Sequence, residues 1–165
     1  MSTTPCLDNQ ATLLRRILSF HSTPKQKDYI NLRSTSKLFF RCTEASNAGV
    51  ADYGCAALAS LACNNADNKK SIAEAGGIAM IFSMLEQHGM SNAEVAKTGC
   101  WALWNLIADA PNTEIIGETD SINAENKRKI LAANGVSIVE RMKSTWASNE
   151  DVQEMADGAL AILRN

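Results

Sequence analysis

The chain has 165 residues, of which 45% are hydrophobic and only 5% aromatic, and its 16 Lys and Arg against 18 Asp and Glu give a formal net charge of -2. This length suffices for one domain with a sizeable core, whereas the charge balance provides no overall basic field that would favour nucleic acid, and no apolar run is long enough to span a membrane. A hydrophobic core built from Leu, Ile, Ala and Met, with only three prolines in the chain, favours stacked helices over a sheet.

The first 47 residues contain two apolar stretches of helical character, Leu13–Phe20 and Tyr29–Phe40, which Pro24 separates. We interpret them as atypical helices that cap the helical array following them, because terminal units of repeat proteins usually differ from internal ones. The alternative is an adaptor segment, since Ile17–Phe20 and Leu32–Phe39 resemble the helices of an F-box. That resemblance would imply docking to a ubiquitin ligase.

The remainder of the chain repeats itself at roughly 40 residues. A branched apolar residue precedes a leucine by eight positions three times, in the pairs Val50 and Leu58, Val95 and Leu103, and Val152 and Leu160. The second interval between these leucines is longer than the first by about a dozen residues. We place the additional residues in a surface loop over about 109–125, which contains a proline, a glycine and five acidic residues. Repeats of this length are stacked units that usually bind rather than catalyse.

The clearest unit begins at Asn68, which is the candidate N-cap of a short helix over 68–75. Gly76 and Gly77 break this helix and turn the chain sharply. A second helix follows and is predicted to end near Gly89, in a left-handed conformation. Its buried face consists of four apolar residues at helical spacing, Ile78, Ile81, Phe82 and Leu85.

A third and longer helix is predicted over about 92–108. Ser91 and Glu94 form a capping-box pattern, in which the serine caps the helix and the glutamate reaches back. The buried stripe of this helix consists of Val95, Gly99, Cys100, Leu103, Leu106 and Ile107. The unit is therefore a short helix, a second helix and a long helix.

These residues resemble the armadillo repeat of the importin alpha and beta-catenin type. The family pattern has an Asn near its start, then an apolar-Glu-Ala-Gly phrase, and finally a long helix of the form V-Q-x-x-A-x-W-A-L-x-N-L. The central unit matches at Asn68, Ile72, Glu74–Ile78 and Val95–Leu106, the third at Asn126, Ile130, Ala133–Val136 and Val152–Leu160, and the first in its long helix, Val50–Cys63. The resemblance implies an all-α, right-handed α-solenoid of about three repeats over residues 48–165.

In this family the long third helices line a concave groove that holds an extended peptide. The resemblance assigns Trp101 to the apolar wall and Asn105 to hydrogen bonding with the peptide backbone, and places Trp104 on the same rim. The predicted groove also includes Tyr53, Ser60, Lys97 and Asp109. In the alternative interpretation, both tryptophans pack against a neighbouring repeat and Asn105 bonds to the carbonyl of a nearby loop.

The Trp-Asn pair occurs in the central unit alone. The equivalent positions hold Ala56 and Ser60 in the first unit, and Gly158 and Ile162 in the third. We therefore do not expect the ladder of such pairs that import receptors use for nuclear signals. Asp52 and Glu154 give the groove a slight acidic character, which suits a mildly basic or mixed partner segment.

The five cysteines are odd in number and form no C-x-x-C pair, and the N-terminal residues form no signal-peptide core. We expect reduced thiols, in the cytosol or alternatively the nucleus, with Cys55 and Cys100 buried. His21 and His88 lack metal-ligand spacing, and phosphate-loop and nucleophile-elbow motifs are missing. We expect no enzyme, cofactor or metal site. The expected partner is a protein or extended peptide, with self-association through the C-terminal repeat as an alternative.

Overall fold

The computed structural model describes residues 47–108 and 116–165, with the backbone alone for 116–120. Within these ranges the chain is all-helical and contains no strand, which confirms the expected class. Seven α-helices follow one another: α1 Ala48–Ala62, α2 Ala66–Glu74, α3 Gly77–Met84, α4 Ala93–Ile107, α5 Ile116–Ala132, α6 Gly135–Thr145 and α7 Glu150–Arg164. A π-helical turn, Leu85–Gly89, extends α3. The predicted N-terminal cap and the F-box alternative lie outside the described residues, as do Cys6, Cys42 and Asp109.

The long helix α4 lies between α1 and α7 and packs against both. Helices α2 and α5 pack against each other, and each contacts the helix that precedes it in the chain, α1 or α4. We call α1, α4 and α7, which have 15 residues each, the long helices of the three units. Helix α5, which opens the third unit, has 17 residues. The core between them consists largely of Leu, Ile, Val, Ala and Met side chains. The predicted apolar faces of α3 and α4 are buried in it, as the hydrophobic periodicity indicated.

The turn between α2 and α3 is built in the same way as the turn between α5 and α6. Gly76 has a φ of 82° and Asn134, its equivalent, has a φ of 59°. Glycine adopts this left-handed conformation without a steric cost, and Asn tolerates it better than most residues. The next residue is a glycine in both cases, and an added Cβ would lie 2.5 Å from Ile72 at Gly77 and 2.5 Å from Ile130 at Gly135. The sequence repeat is therefore also a repeat of local packing.

Two predicted helix boundaries are wrong. The N-cap of α2 is Asn65 rather than Asn68, because the side chain of Asn65 accepts the hydrogen bond from the Asn68 backbone N–H. Residues 116–125 belong to α5 instead of a loop. Acidic residues suggested a solvated loop, but they are no evidence against a helix, since the macrodipole favours negative charge in the first turns of a helix.

The helix ends at Gly89 as predicted, but the backbone of Gly89 is not left-handed. An added Cβ at Gly89 would lie 2.6 Å from the sulfur of Met142. Its carbonyl oxygen accepts a hydrogen bond of 2.7 Å from the indole N–H of Trp146. Close packing, rather than a left-handed conformation, explains the glycine at this position.

Candidate partner-binding face

An asparagine caps each of the three long helices at the same place. Asn47, Asn92 and Asn149 each stand three residues before the repeated valine, and each accepts a hydrogen bond from a backbone N–H of the first helical turn. Ser91 was predicted to cap α4, but its hydroxyl group donates to the carbonyl of His88 instead. The carboxamide of Asn92 accepts from two backbone N–H groups and is as good a cap as serine.

Side-chain amides also join α2 and α5 to the long helix that precedes each of them in the chain. Asn68 of α2 donates to the carbonyl of Leu61 at 2.9 Å, and Asn126 of α5 donates to the carbonyl of Leu106 at 3.0 Å. The two carbonyls are at equivalent positions near the ends of α1 and α4, where helical carbonyls lack intrahelical partners. The asparagine that repeats in the sequence, at positions 68 and 126, therefore links each of these helices to the preceding long helix.

Contacts between the long helices show that they run parallel. Lys97, in the first half of α4, lies 3.7 Å from the carboxylate of Asp151 at the start of α7. Asn105, in the second half of α4, donates to the carbonyl of Ala59 in the second half of α1. Equivalent positions therefore lie side by side on the three helices.

One stripe on each long helix stays in contact with solvent. Its positions are spaced four residues apart, so they share one side of their helix. We call the combined surface the long-helix face, and it consists of Asp52, Ala56 and Ser60 on α1, Lys97, Trp101 and Asn105 on α4, and Glu154, Gly158 and Ile162 on α7, all exposed or half-buried.

The two tryptophans of α4 are half-buried and pack in part against the core. The indole ring of Trp104 lies against Gly158 of α7, where an added Cβ would approach three ring atoms at 2.7 to 2.9 Å. Trp104 therefore packs on the neighbouring long helix, which was one of the two interpretations left open. No described residue accepts a hydrogen bond from the indole N–H of Trp101 or Trp104, and because no buried side-chain nitrogen lacks a partner, both N–H groups reach solvent.

Asn105 is half-buried, and its Nδ2 donates to the Ala59 carbonyl at 3.2 Å. The same carbonyl accepts from the backbone N–H of Cys63, at the end of α1. The side chain thus ties α4 to α1. This resembles the alternative interpretation, except that the carbonyl belongs to a helix and not to a loop. Sequence could not choose between the two roles, because both need the same amide.

A charged cluster stands one helical turn before Trp101. Lys97 forms an ion pair with Glu94 in its own helix and approaches Asp151 of α7. The hydrogen bond that Lys97 donates to the Glu94 carboxylate raises the pKa of Lys97. On α1, burial of its carboxyl group raises the pKa of Asp52, although a side-chain hydrogen bond with Thr98 opposes the shift. The carboxylates of Glu94, Asp151 and Asp52 therefore lie around a single lysine, Lys97.

The remaining predicted positions extend the face along α1. Tyr53 and Ser60 are both half-buried. Tyr53 follows Asp52 and packs in part against the core. Of the seven predicted site residues, Ser60, Lys97, Trp101 and Asn105 lie on the long-helix face and Trp104 packs beside it on Gly158. Tyr53 is placed only by its position next to Asp52, and Asp109 lies outside the described part.

Lys69 is a buried charge that the sequence analysis did not single out. Its side chain is only 2% exposed, and its ammonium group donates to the carbonyl of Ala108 and, at 3.2 Å, to Oδ1 of Asn123. A lysine after an asparagine gives no sequence signal for burial, since Lys127 stands at the equivalent position and is half-buried. Lys69 fixes the point where the chain leaves α4.

The predicted burial of Cys55 and Cys100 is confirmed. Cys55 lies 3.7 Å from the sulfur of Met84, and desolvation raises its pKa; the same cause raises the pKa of Cys100 to about 12. Both thiols are consequently protonated and unreactive at neutral pH. Cys63, at the end of α1, is exposed.

A second surface feature lies between α2 and α5. It is a cleft of about 230 Å³ whose charged lining residues are Lys70, Glu74, Glu125 and Lys129. Glu125 and Lys129 lie 3.7 Å apart in α5. Charges of both signs line this cleft, so its electrostatics select no ligand class.

Among the described residues, no three His, Cys, Asp or Glu side chains come together as a metal site. None of the helices in the described ranges has the length and hydrophobicity needed to cross a membrane. Comparisons with known protein families, curated proteins and solved structures find no match. The likeness to armadillo repeats therefore rests on the repeated residues of the chain.

Proposed function

We propose that residues 48–165 form an armadillo-type, right-handed superhelix that binds a partner protein, or an extended segment of one, on the long-helix face. The observation that carries the proposal is that three parallel long helices keep one aligned stripe each open to solvent, with Trp101 at its centre. Tryptophan is the residue type most enriched among binding hot spots. The repeated caps, turns and amide joints support the repeat architecture.

The charges on the face favour a partner segment that is mildly basic or mixed. Asp52, Glu94, Asp151 and Glu154 outnumber Lys97 at the start of the long helices. Complementary charge accelerates association more than it adds affinity. Reversing Asp52 and Glu154 to lysine should therefore slow association with the partner, and an unchanged association rate would contradict this part of the proposal.

Self-association through α7 gains no support from the described residues. The outward side of that helix bears Glu150, Glu154, Asp157 and Arg164, and its large hydrophobic residues are buried or half-buried.

The test is a pull-down from cytosolic extract with mass-spectrometric identification of what is retained. The intact chain is compared with Trp101→Ala and with Trp146→Phe, which alters another half-buried tryptophan, immediately after α6. All three proteins are checked for folding by circular dichroism. A defined partner that is lost only with folded Trp101→Ala supports the proposal, whereas equal recovery by all three refutes a role for the long-helix face.

A further inference from the structure

The turn between α5 and α6 contains the one asparagine of the chain that a glycine follows, Asn134 before Gly135. Asparagine is thermolabile, because the backbone nitrogen of the next residue can attack its carboxamide. A side chain on that next residue shields the nitrogen, and glycine has none. Asn134 is exposed to water, and its carboxamide does not cap α6. The residue types at this turn therefore allow deamidation.

The reaction has two steps, and water is its only co-reactant. The Gly135 nitrogen gives up its proton and forms a bond to Cγ of Asn134, while the bond from Cγ to the amide nitrogen breaks and ammonia leaves with that proton. The product is a five-membered succinimide ring. Water then adds to one of the two ring carbonyls and opens the ring. Cleavage at Cγ gives aspartate, and cleavage at the main-chain carbonyl gives isoaspartate.

The folded turn holds the reacting groups apart. Ring formation requires the side chain of Asn134 and the Gly135 nitrogen to lie on the same side of the Cα–C bond between them. With a φ of 59° and a ψ of 32°, Cβ and that nitrogen lie nearly opposite each other. Two hydrogen bonds fix this conformation: the Asn134 N–H donates to the Leu131 carbonyl at 3.0 Å, and the Asn134 carbonyl accepts from the Ile138 N–H at 3.3 Å. Deamidation therefore requires the turn to open.

Isoaspartate does not fit the closed turn. It places the side-chain methylene in the main chain, which lengthens the path from residue 134 to residue 135 by one carbon–carbon bond, about 1.5 Å. There is no space for such a shift, because an added Cβ at Gly135 would lie 2.7 Å from the Ile130 carbonyl oxygen and 3.0 Å from the ring of Phe82. Aspartate differs from isoaspartate in both respects. It keeps the main chain unchanged and tolerates the left-handed conformation as asparagine does.

We propose that Asn134 is a deamidation site that is protected in the folded protein, reacts when the turn between α5 and α6 opens, and as isoaspartate prevents this turn from closing again. The third unit thus keeps a covalent record of its own opening. Gly76 and Gly77 form the equivalent turn of the second unit without a carboxamide, so that turn keeps no such record. This inference does not depend on the proposed binding function.

The first test compares the folded and the unfolded chain. The full-length protein is incubated at neutral pH in buffer and in a urea concentration that unfolds it, and conversion of Asn134 is followed by peptide mass spectrometry. Conversion in buffer should be slower by about 10-fold or more, because only the opened fraction reacts. Asn134→Gly, which reproduces the turn of Gly76 and Gly77, is the control that should stay folded and show no conversion at this position. Equal rates in buffer and urea, or no conversion in urea, would overturn the proposed site.

The second test concerns the product. Chains converted in urea are separated by chromatography into the isoaspartate and aspartate forms, refolded and titrated with urea again. The isoaspartate form should unfold at a lower urea concentration than the parent protein, whereas Asn134→Asp should unfold close to the parent, because only isoaspartate lengthens the main chain. An isoaspartate form with the midpoint of the parent would show that the turn still closes, and would overturn that part of the proposal.

Discussion

The contact between Trp104 and Gly158 can be tested by adding a single methyl group. In Gly158→Ala the new Cβ would lie 2.7 Å from the nearest indole carbon, whereas ordinary van der Waals contact begins at 3.4 Å. The three nearest atoms all belong to the fused ring system, which cannot bend. The whole indole, or the helix below it, therefore has to move by about 0.7 Å, the difference between these two distances.

Two opposing effects determine the change in the free energy of unfolding. Replacing a glycine inside a helix by alanine stabilises by about 1 kcal/mol when nothing else changes. Overpacking against a rigid neighbour costs about 1–3 kcal/mol. We expect Gly158→Ala to range from neutral to about 2 kcal/mol destabilising. In a Trp104→Ala background the steric conflict is gone, and the same change should stabilise by about 1 kcal/mol.

Urea denaturation of the parent, both single variants and the double variant measures the coupling between the two positions. Ala161→Gly changes an exposed position of α7 three residues further on. Its effect on the free energy of unfolding measures the difference in helix propensity between alanine and glycine in this helix. A coupling free energy of about 1–3 kcal/mol is expected. If Gly158→Ala stabilises the parent as much as it stabilises the Trp104→Ala variant, the indole does not lie against Gly158, and the argument built on that contact fails.

Three further predictions follow from the described residues. Asn92→Ala should lower the free energy of unfolding by about 1 kcal/mol and Ser91→Ala by less than about 0.5 kcal/mol in urea titrations, because Asn92 caps α4. Burial raises the pKa of Asp52 above 3.8, so its stabilising contribution is present below pH 3.8 and is lost as the pH rises through the raised value. Asp52→Asn should therefore gain stability relative to the parent from pH 3.8 towards neutrality, and a constant difference would contradict the assignment. Iodoacetamide should label Cys63 in the native protein, whereas Cys100 should react only after unfolding, as followed by peptide mass spectrometry.

The positions of the helices follow from sequence periodicity, but their ends do not. The predicted helix over 92–108 is α4, Ala93–Ile107, because its apolar stripe has no other way to be buried. Predicting the N-cap of α4 meant choosing between two adjacent polar residues, and the choice of Ser91 over Asn92 was wrong. A repeated signal was present in the sequence: Ser-Asn stands immediately before each long helix, at 46–47, 91–92 and 148–149.

The roles of individual polar side chains at the site depend on tertiary geometry. The family resemblance assigned Asn105 to a partner's backbone, yet its hydrogen-bond partner is the Ala59 carbonyl, 46 residues earlier in the chain. The burial of Lys69 depends on the end of α4, whose last carbonyls lack partners within the helix. Spacing along one helix contains no information about which carbonyl a neighbouring helix presents.

Three asparagines of this chain join neighbouring helices. Asn68, Asn105 and Asn126 each donate to a carbonyl of the preceding long helix. The carbonyls bonded by Asn68 and Asn126 lie near helix ends, where intrahelical donors are lacking, so these two bonds are difficult to release for a ligand. The Ala59 carbonyl bonded by Asn105 also accepts from the Cys63 backbone N–H, so the Asn105 bond is easier to exchange. Under the proposed function, a ligand on the long-helix face would therefore use the exposed parts of Trp101 and Trp104 together with the carboxamide of Asn105.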